Sequence, residues 1–541
     1  MRAPPLCLAL LFAVTGIAAA ATGASAGPLD LIVRGGTVLD GTGSPGLRAD
    51  VGVRAGKIVA IGDLEAASSK EVLDARGLIV APGFIDTHSH VPESLPGREG
   101  PLFNEGFLTQ GVTTFVGGPD GFLSPTQISK FIDRMQRDGI TTNYAFYVGH
   151  NGIRSEVMGK AHRAPTAAEL AKMKALVREG MQMGAVGLST GLMYVPGVFS
   201  KTEEVIELAK EVKPFGGTFD SHTRDPAFDM LGSDREVIEI GRAAGIPAKI
   251  AHLKAAGEVN KGLAKDEIAL IEQARAAGQD VVADQYPYDG GATTNLDDLI
   301  LIPGKQRPAD TGFDHATVQR ALADPSRRAE LEAASEEGIN GGFSWIKAIG
   351  YGNFRIVDAP DAPELVGKNI QLLAEERRQR SFGLIAELIL SHPRPFLITL
   401  GAMHEPDVRA ELAQPWNMIC SDGSYVDAQT KGRLHPRYTG SFTRVLGHYV
   451  RDVKLFSLEE AVRKMTSLPA GHLHLADRGR IDVGYAADIT VFDAAKVSDR
   501  STWTQPQALS EGIVHVIVNG VPALRGGKIT GATPGGFVKR Q

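Results

Sequence analysis

Cysteine is scarce in this chain: 541 residues contain only two, Cys7 and Cys420. A scaffold stapled by disulfides is therefore excluded, and a chain of this length can bury a core large enough to do without one. Charge of one sign is also lacking, since 57 Lys and Arg residues face 63 Asp and Glu residues, a net charge of −6. Because nucleic-acid binding needs a basic surface, we expect no nucleic-acid partner.

Long hydrophobic runs are missing from most of the sequence. One apolar run, at 6–21, follows Arg2 and ends in the small residues 24–26, which is the layout of a secretory signal peptide. A membrane anchor is the alternative, but the run is shorter than the roughly 20 residues a span needs, and no charged stop follows. The sequence predicts a signal peptide at 1–26 and a periplasmic or secreted protein that has no membrane contact after cleavage.

Short strand-like runs broken by Gly and Asp occupy both ends of the remaining chain. They lie at 31–33, 51–53 and 57–61 near the start, and at 488–492 and 514–518 near the end, where the turn pair Asn519-Gly520 follows. This pattern favours a small β-sandwich domain built from both termini, residues 27–80 together with 479–541.

The middle of the chain alternates apolar strands with amphipathic helices. Capping boxes at Thr166, Ser200 and Ser457, each with Glu three residues later, mark helix starts. Repeated units of this kind imply a parallel sheet, and eight of them fit a closed (β/α)8 TIM-like barrel over 81–478; an open doubly wound sheet is the alternative. The predicted strands are 83–90, 112–117, 143–149, 185–190, 218–223, 248–253, 280–286 and 417–422.

More than a hundred residues separate the seventh and eighth predicted strands, too many for a bare loop. We expect an inserted subdomain at 293–352. It is either a lid over the barrel mouth or a solvated helical decoration.

Metal-ligand residue types recur at the ends of the predicted strands. His88 and His90 stand two apart, on one face of the first strand, with Asp86 on the same face. His222, His252 and Asp422 close the fifth, sixth and eighth strands. Each alone is more often structural, but the carboxyl ends of barrel strands meet at one rim. Four imidazoles and a carboxylate there suit one or two Zn²⁺ ions.

At these residues the chain resembles the amidohydrolase superfamily and, within it, the D-aminoacylases, or N-acyl-D-amino-acid deacylases. The likeness covers nearly the whole chain after the signal peptide. Its motifs are APGFIDTH at 81–88, QGVTT at 110–114, GLSTGL at 187–192, the segments around His222 and His252, DQYPY at 284–288, SDG at 421–423, HPR at 435–437, AD at 487–488 and VNG at 518–520. The resemblance implies a barrel flanked by a β-domain, zinc, and Asp422 as the catalytic carboxylate.

One loop departs from the family pattern. After the second strand those deacylases usually have a metal-bridging cysteine, and here the loop is Gly117-Gly118-Pro119-Asp120-Gly121. Asp120 is either a substitute bridging ligand or a residue of an ordinary β-turn, for which Pro-Asp-Gly is equally suited. The fourth strand also lacks the lysine that other amidohydrolases carbamylate, which leaves the number of metal ions at one or two.

The residues suit zinc-dependent hydrolysis of an N-acyl amino acid, and the resemblance implies the D-configuration, so the expected products are a carboxylate and a free D-amino acid. Asp422 would take a proton from the attacking water and return it to the leaving amine. Lys254 and Arg437 are candidates for the substrate carboxylate, and Tyr194 and Tyr286 for further hydrogen bonds; the resemblance places these four near the substrate.

Two other hypotheses stay open. The same metal chemistry suits cyclic amides or D-dipeptides, and a non-catalytic relative would act as a binding protein. The partner we expect is a small-molecule substrate, and the protein is expected to be a monomer or a small homo-oligomer.

Overall fold

A computed structural model describes residues 27–305, 313–339, 342–430 and 435–540. The predicted signal peptide lies outside the described residues. Among the described residues, no helix combines the length and apolarity needed to cross a membrane.

Both ends of the described chain contribute to one nine-stranded sheet. Strand β17 (Ile489–Phe492) pairs antiparallel with β5 (Ile79–Pro82), with Ile489 opposite Pro82, and this pairing joins the two termini. One face of this sheet buries a separate apolar cluster that includes Val33, Val51 and Ile517. The terminal β-domain is thus confirmed as a sheet. Its strands are β1 (Leu29–Val38), β2 (Leu47–Arg54), β3 (Lys57–Gly62), β4 (Ser69–Asp74), β5 (Ile79–Pro82), β17 (Ile489–Phe492), β18 (Ile513–Val518), β19 (Val521–Arg525) and β20 (Lys528–Ile529).

Eight parallel strands form the barrel, in the order in which they occur along the chain. The seam between the first and last strands closes at the rim, where the amide N–H of His90 donates to Gly423 O at 2.8 Å and that of Asp422 to His88 O at 3.0 Å. All eight predicted strands are present, and the open-sheet alternative is wrong. They are β6 (Phe84–Asp86), β7 (Val112–Gly117), β8 (Asn143–Gly149), β9 (Gly187–Gly191), β10 (Thr218–His222), β11 (Ala248–Ile250), β12 (Val281–Gln285) and β16 (Asn417–Ile419).

Helices follow the strands around the outside of the barrel. The predicted capping box at Thr166 is confirmed. At Ser457 the hydroxyl accepts the N–H of Glu460 as predicted, but the Glu460 carboxylate binds Arg463 instead of the cap. The cap at Ser200 is wrong: that helix begins at Thr202, and the Ser200 hydroxyl donates to Gly197 O instead. The helices are α1 (Glu105–Leu108), α2 (Pro125–Asp138), α3 (His150–Met158), α4 (Ala167–Met183), α5 (Thr202–Ala209), α6 (Met230–Ala244), α7 (Ala264–Ala276), α14 (Arg437–Arg444), α15 (Leu458–Met465) and α16 (Ser467–His472).

The segment between β12 and β16 has its own structure. Its three strands form an antiparallel sheet in the order β13-β15-β14. Residues 293–352 supply most of β13 and three of the helices, while β14 and β15 follow after that range. The elements are β13 (Ala292–Asn295), β14 (Phe354–Asp358), β15 (Leu397–Leu400), α8 (His315–Leu322), α9 (Arg328–Glu337), α10 (Trp345–Ile349), α11 (Ile370–Glu376), α12 (Ser381–Ser391) and α13 (Glu405–Leu412).

The last described residues run under the amino end of the barrel. The N–H of Tyr144 donates to Gly536 O at 3.0 Å and that of Val538 to Tyr144 O at 2.8 Å. The Val538 side chain packs with Leu473 and with barrel-interior residues such as Ile85. The C-terminal segment therefore closes the barrel at the end opposite its carboxyl rim.

Candidate metal centre and active site

The predicted ligand residues gather at the carboxyl rim of the barrel. His88 and His90 follow β6, His222 ends β10, His252 lies two residues after β11, and Asp422 lies three residues after β16. Their ligand atoms, with those of Asp120, form three overlapping groups in which all atoms lie within 4.8 Å of one another. Strands far apart in sequence therefore deliver their polar ends to one point, as parallel barrels do.

Asp120 lies at the centre of this cluster. Its Oδ1 is 3.5 Å from His88 Nε2 and 3.7 Å from both His222 Nδ1 and His252 Nε2. Its Oδ2 is 3.6 Å from His90 Nε2. Residues Pro119–Gly121 also form a short helical turn. Asp120 is therefore part of a turn, and its carboxylate is also directed at all four imidazoles.

The arrangement offers places for two ions that share one carboxylate. One group is His88, His90 and Asp120, and a second is Asp120, His222 and His252. Asp422 joins a third group with His88 and His252.

Buried polar atoms in the cluster lack hydrogen-bond partners. They are both ring nitrogens of His88, His222 Nε2 and Asp120 Oδ1. Burying such atoms without partners is costly. A metal ion in the cluster would satisfy His88 Nε2 and Asp120 Oδ1, the two that face each other. Imidazole nitrogen and carboxylate oxygen are ligands that zinc accepts, so the residues fit this ion.

Close backbone approach brings Asp120 into place. A Cβ atom on Gly191 would lie 2.3 Å from Asp120 O. The hydroxyl of Ser189 donates to Gly118 O at 2.6 Å and accepts the N–H of Gly121 at 3.1 Å. The end of β9 thus holds the loop that follows β7 in close contact with its own backbone. There is no room for a Cβ atom in this contact, so residue 191 must be glycine.

Three residues of the cluster have strained backbones. The φ angles of Asp120, His252 and Asp422 are 57°, 38° and 45°, in the left-handed region that non-glycine residues rarely occupy. Such strain is typical of functional sites whose surroundings hold the residue in place.

A buried ionic layer lies directly beneath the cluster. Lys249 Nζ forms ion pairs with Asp284 and, at 3.2 Å, with Asp220, and donates to Thr87 O at 2.9 Å. Asp284 Oδ1 accepts the N–H of His252 at 2.6 Å, which helps to hold that strained residue. Burial raises the pKa of Asp284, but Lys249 more than offsets this and keeps it ionised. This layer was not predicted; the signal for it in the sequence is the presence of Asp220, Lys249 and Asp284 inside otherwise apolar strands.

Asp86 connects the first and last barrel strands. Its carboxylate accepts the hydroxyl and, at 3.0 Å, the N–H of Ser421, and the N–H of His88 at 3.3 Å. Burial raises the pKa of Asp86 to about 7. This carboxylate positions the chain on both sides of the seam, next to His88 and Asp422.

The electrostatic field of the cluster sets the protonation of its members. Burial lowers the pKa of His88 to about 3 and that of His222 to about 4, which keeps both rings in the neutral form that binds metals. Burial raises the pKa of Asp120, but His88 and His222 outweigh it and hold the pKa well below its usual value. Burial also raises the pKa of Asp422, but Arg437 and His90 outweigh it and hold this pKa well below its usual value.

A cavity of about 390 Å³ opens onto the cluster and contains all four predicted substrate-binding residues. Lys254 Nζ lies 2.5 Å from His252 Nδ1, and the Tyr194 hydroxyl 3.2 Å from His222 Nδ1. The apolar part of the lining was not predicted from the sequence. It comes from loops after barrel strands and from the insertion between β12 and β16: Phe122, Met193, Pro226, Trp345, Leu400 and Ala402.

Arg437 is held on several sides. Its Nη1 is 2.9 Å from Asp422 Oδ2 and donates to Gly291 O at 2.7 Å. The guanidinium lies 4.6 Å from the Tyr286 ring centroid, and the Tyr286 hydroxyl donates to Gly291 O at 3.2 Å. The cation is therefore pre-organised at the cavity wall.

A parallel barrel with a terminal β-domain and a rim of imidazoles and carboxylates defines the amidohydrolase class. The model of the "Amidohydrolase family" matches residues 384–523. The D-aminoacylase of Alcaligenes xylosoxydans xylosoxydans is 35% identical over 535 residues, which cover 95% of this chain and 98% of that protein. The N-acyl-D-glutamate deacylase of the same organism is 36% identical over 513 residues, 91% of this chain and 93% of that protein. The chain therefore belongs to the D-aminoacylase family of N-acyl-D-amino-acid deacylases.

A solved structure shows the same architecture. The N-acyl-D-glutamate deacylase from Bordetella bronchiseptica, complexed with zinc and a phosphonate mimic of the tetrahedral intermediate, superposes with a TM-score of 0.75. It is 31% identical, and the match covers 95% of this chain and all of that one.

Proposed function

We propose that this protein hydrolyses the amide bond of N-acyl-D-amino acids, releasing a carboxylate and a free D-amino acid. One observation carries the proposal: four imidazoles and two carboxylates converge in a cavity that also presents Lys254 and Arg437. Relatives over nearly the full chain are deacylases of such substrates.

Zinc fits the converging residues. His88, His90, Asp120, His222 and His252 would hold one or two ions, with Asp120 shared between them and Asp422 beside them. A bound zinc ion polarises a carbonyl and lowers the pKa of a water molecule to about 7. In this role Asp120 takes the place of the cysteine usual at that loop in the family.

Asp422 is the proton carrier of the reaction. Its Oδ1 lies 3.3 Å from His90 Nε2, and its Oδ2 is held by Arg437. Because its pKa lies well below the usual value, it is ionised at neutral pH and can accept the proton of the attacking water. It then returns this proton to the nitrogen of the leaving amine.

Lys254 and Arg437 bind the substrate carboxylate. Both side chains line the cavity wall, and a planar guanidinium matches a carboxylate geometrically. The hydroxyls of Tyr194 and Tyr286 add polar contacts near the scissile bond.

A stereo-paired substrate panel tests this function. N-acetyl-D- and N-acetyl-L-amino acids, hydantoins and D-dipeptides are assayed with and without a chelator. We expect turnover of the N-acyl-D-amino acids, lost with the chelator and restored by zinc. Preferential turnover of a hydantoin or a dipeptide would contradict the proposal, and no turnover together with no stoichiometric zinc would indicate a binding protein.

The N-terminal segment bears on location. We propose that residues 1–26 direct export to the periplasm or the medium, which is supported by their charge and apolar pattern. Cell fractionation of the full chain and of a chain lacking 2–26 tests this; equal cytoplasmic amounts of both would contradict it. Light scattering of the purified protein would establish whether it is a monomer or a small homo-oligomer.

A further inference from the structure

Three aromatic rings form a continuous path from the catalytic cavity to the surface. Trp345 lines the cavity, and its ring centroid lies 4.7 Å from that of Phe343. The Phe343 centroid lies 5.7 Å from that of Phe228. Trp345 and Phe343 are half-buried, whereas Phe228 is 41% exposed. This aromatic path therefore starts at the cavity wall and ends at the partly exposed Phe228, where Lys347 Nζ lies 5.8 Å from the ring centroid.

The outer end of the path is unusual for this protein. Among the described residues, Phe228 is the single aromatic side chain among the large hydrophobic residues that are exposed. Val259, 53% exposed, precedes Asn260, which binds the loop that carries Phe228. Because the contacting rings begin at a ligand cavity, they offer apolar surface on which part of a ligand can lie.

Hydrogen bonds pre-organise both segments that carry the rings. Asp225 Oδ1 accepts the N–H of Phe228 at 2.8 Å, and Asn260 Nδ2 donates to Ala227 O at 2.7 Å. On the other segment, the Ser344 hydroxyl caps α10 by accepting the N–H of Lys347 at 3.1 Å. A ligand that lies along fixed rings loses less binding energy to ordering the protein.

We propose that the aromatic path binds the hydrocarbon tail of a long N-acyl group, so that the substrates are N-acyl-D-amino acids carrying a fatty-acyl chain. The inference rests on the proposed function and specifies its substrate class. A group that ends beside Trp345, such as an acetyl group or an amino-acid side chain, does not extend two rings outward to Phe228. A long acyl chain, whose carbonyl stays at the cluster, does.

An acyl-length series tests the path. Hydrolysis of N-acetyl-, N-hexanoyl- and N-decanoyl-D-leucine is measured as kcat/KM, below the aggregation limit of the longest substrate. We expect kcat/KM to rise by roughly fourfold for each methylene that the path buries. Phe228→Ser should lower the value for the decanoyl substrate by about tenfold, the equivalent of one to two buried methylenes, and leave the acetyl substrate within about twofold of the wild type. Leu372→Ser, at a 64% exposed position on α11 outside the path, is the matched control and should change neither.

Other results would overturn the proposal. A flat length series, or equal losses for both substrates in Phe228→Ser, would remove the path from the substrate site. N-acetyl-D-amino acids with side chains of increasing length are measured in parallel. If kcat/KM rises only in this second series, the path binds the amino-acid side chain instead of the acyl group. If no N-acyl-D-amino acid is hydrolysed, the proposed function fails separately. Calorimetric binding then decides, because tighter binding of the decanoyl than of the acetyl compound, lost in Phe228→Ser, supports the path, and equal binding rejects it.

Discussion

The two ends of the barrel differ in what they bury. At the carboxyl end, Asp120, His252 and Asp422 have strained backbones, and buried ring nitrogens lack partners. At the amino end, the C-terminal segment completes hydrogen bonds to Tyr144 and packs Val538 into the apolar interior. The well-packed barrel holds the strained backbones and buried polar groups of the metal-ligand cluster in place, whereas its amino end is closed by apolar packing. Changes at the rim should therefore alter chemistry, and changes at the base should alter stability.

The largest effect is expected at the rim from Asp422→Asn. Loss of the proton acceptor should reduce kcat/KM by roughly a thousandfold, while the histidine cluster still binds zinc. Steady-state kinetics together with zinc analysis of the purified variant check both parts. A variant that keeps most of its activity would show that another group moves the proton.

A smaller effect on the same end is expected from Gly191→Ala. The added Cβ would collide with Asp120 O, so we expect zinc affinity to fall by about 10- to 100-fold, as for other residues that orient metal ligands. Competition with a chelating dye measures the affinity. Gly471→Ala, where a Cβ meets nothing within 4 Å, is the control. An equal loss of zinc affinity in that variant would show that the loss does not come from displacement of Asp120.

The base of the barrel should respond in stability. Val538→Ala removes apolar contacts in the interior and should lower the free energy of unfolding by roughly 1–3 kcal/mol. The kcat/KM of the folded enzyme should stay within about twofold of the wild type. Chemical denaturation and kinetics on the same samples check this. A large loss of activity without loss of stability would mean that the two ends are coupled.

The smallest effect concerns a buried acidic group beside the barrel. Burial raises the pKa of Glu411 from 4.5 to about 8; Glu267, Asp407 and Lys254 are the charged groups that act on it, and Asp234 lies beyond Glu267. Because its folded-state pKa is raised, its contribution to stability is complete below pH 4.5 and is lost as the pH rises through 8.

Thermal unfolding between pH 5 and 9 measures this dependence. We expect Tm to fall by a few degrees towards pH 9 in the wild type and by less in Glu411→Gln. Glu330→Gln, at an exposed position of α9, serves as the control. If Tm falls with pH equally in the wild type and in Glu411→Gln, the titration of Glu411 does not contribute to the pH dependence of stability.

Much of the fold could be predicted from local pattern. Apolar runs of strand length alternating with capped helices predicted all eight barrel strands. Ser200 shows the limit of such patterns. Its hydroxyl donates to Gly197 O instead of capping a helix, and the helix begins at Thr202. The length of the insertion was visible in the sequence, but the pairing of β15 with both β13 and β14 was not.

The order of residues alone places imidazoles and carboxylates at strand ends, which parallel strands must bring to one edge. Other contacts arise only in the folded chain: those of Asp120 with the histidines, of Lys249 with Asp220 and Asp284, and of Phe228 with Phe343. These contacts join segments from different loops and strands. Their geometry depends on barrel closure and loop packing, which no local periodicity encodes.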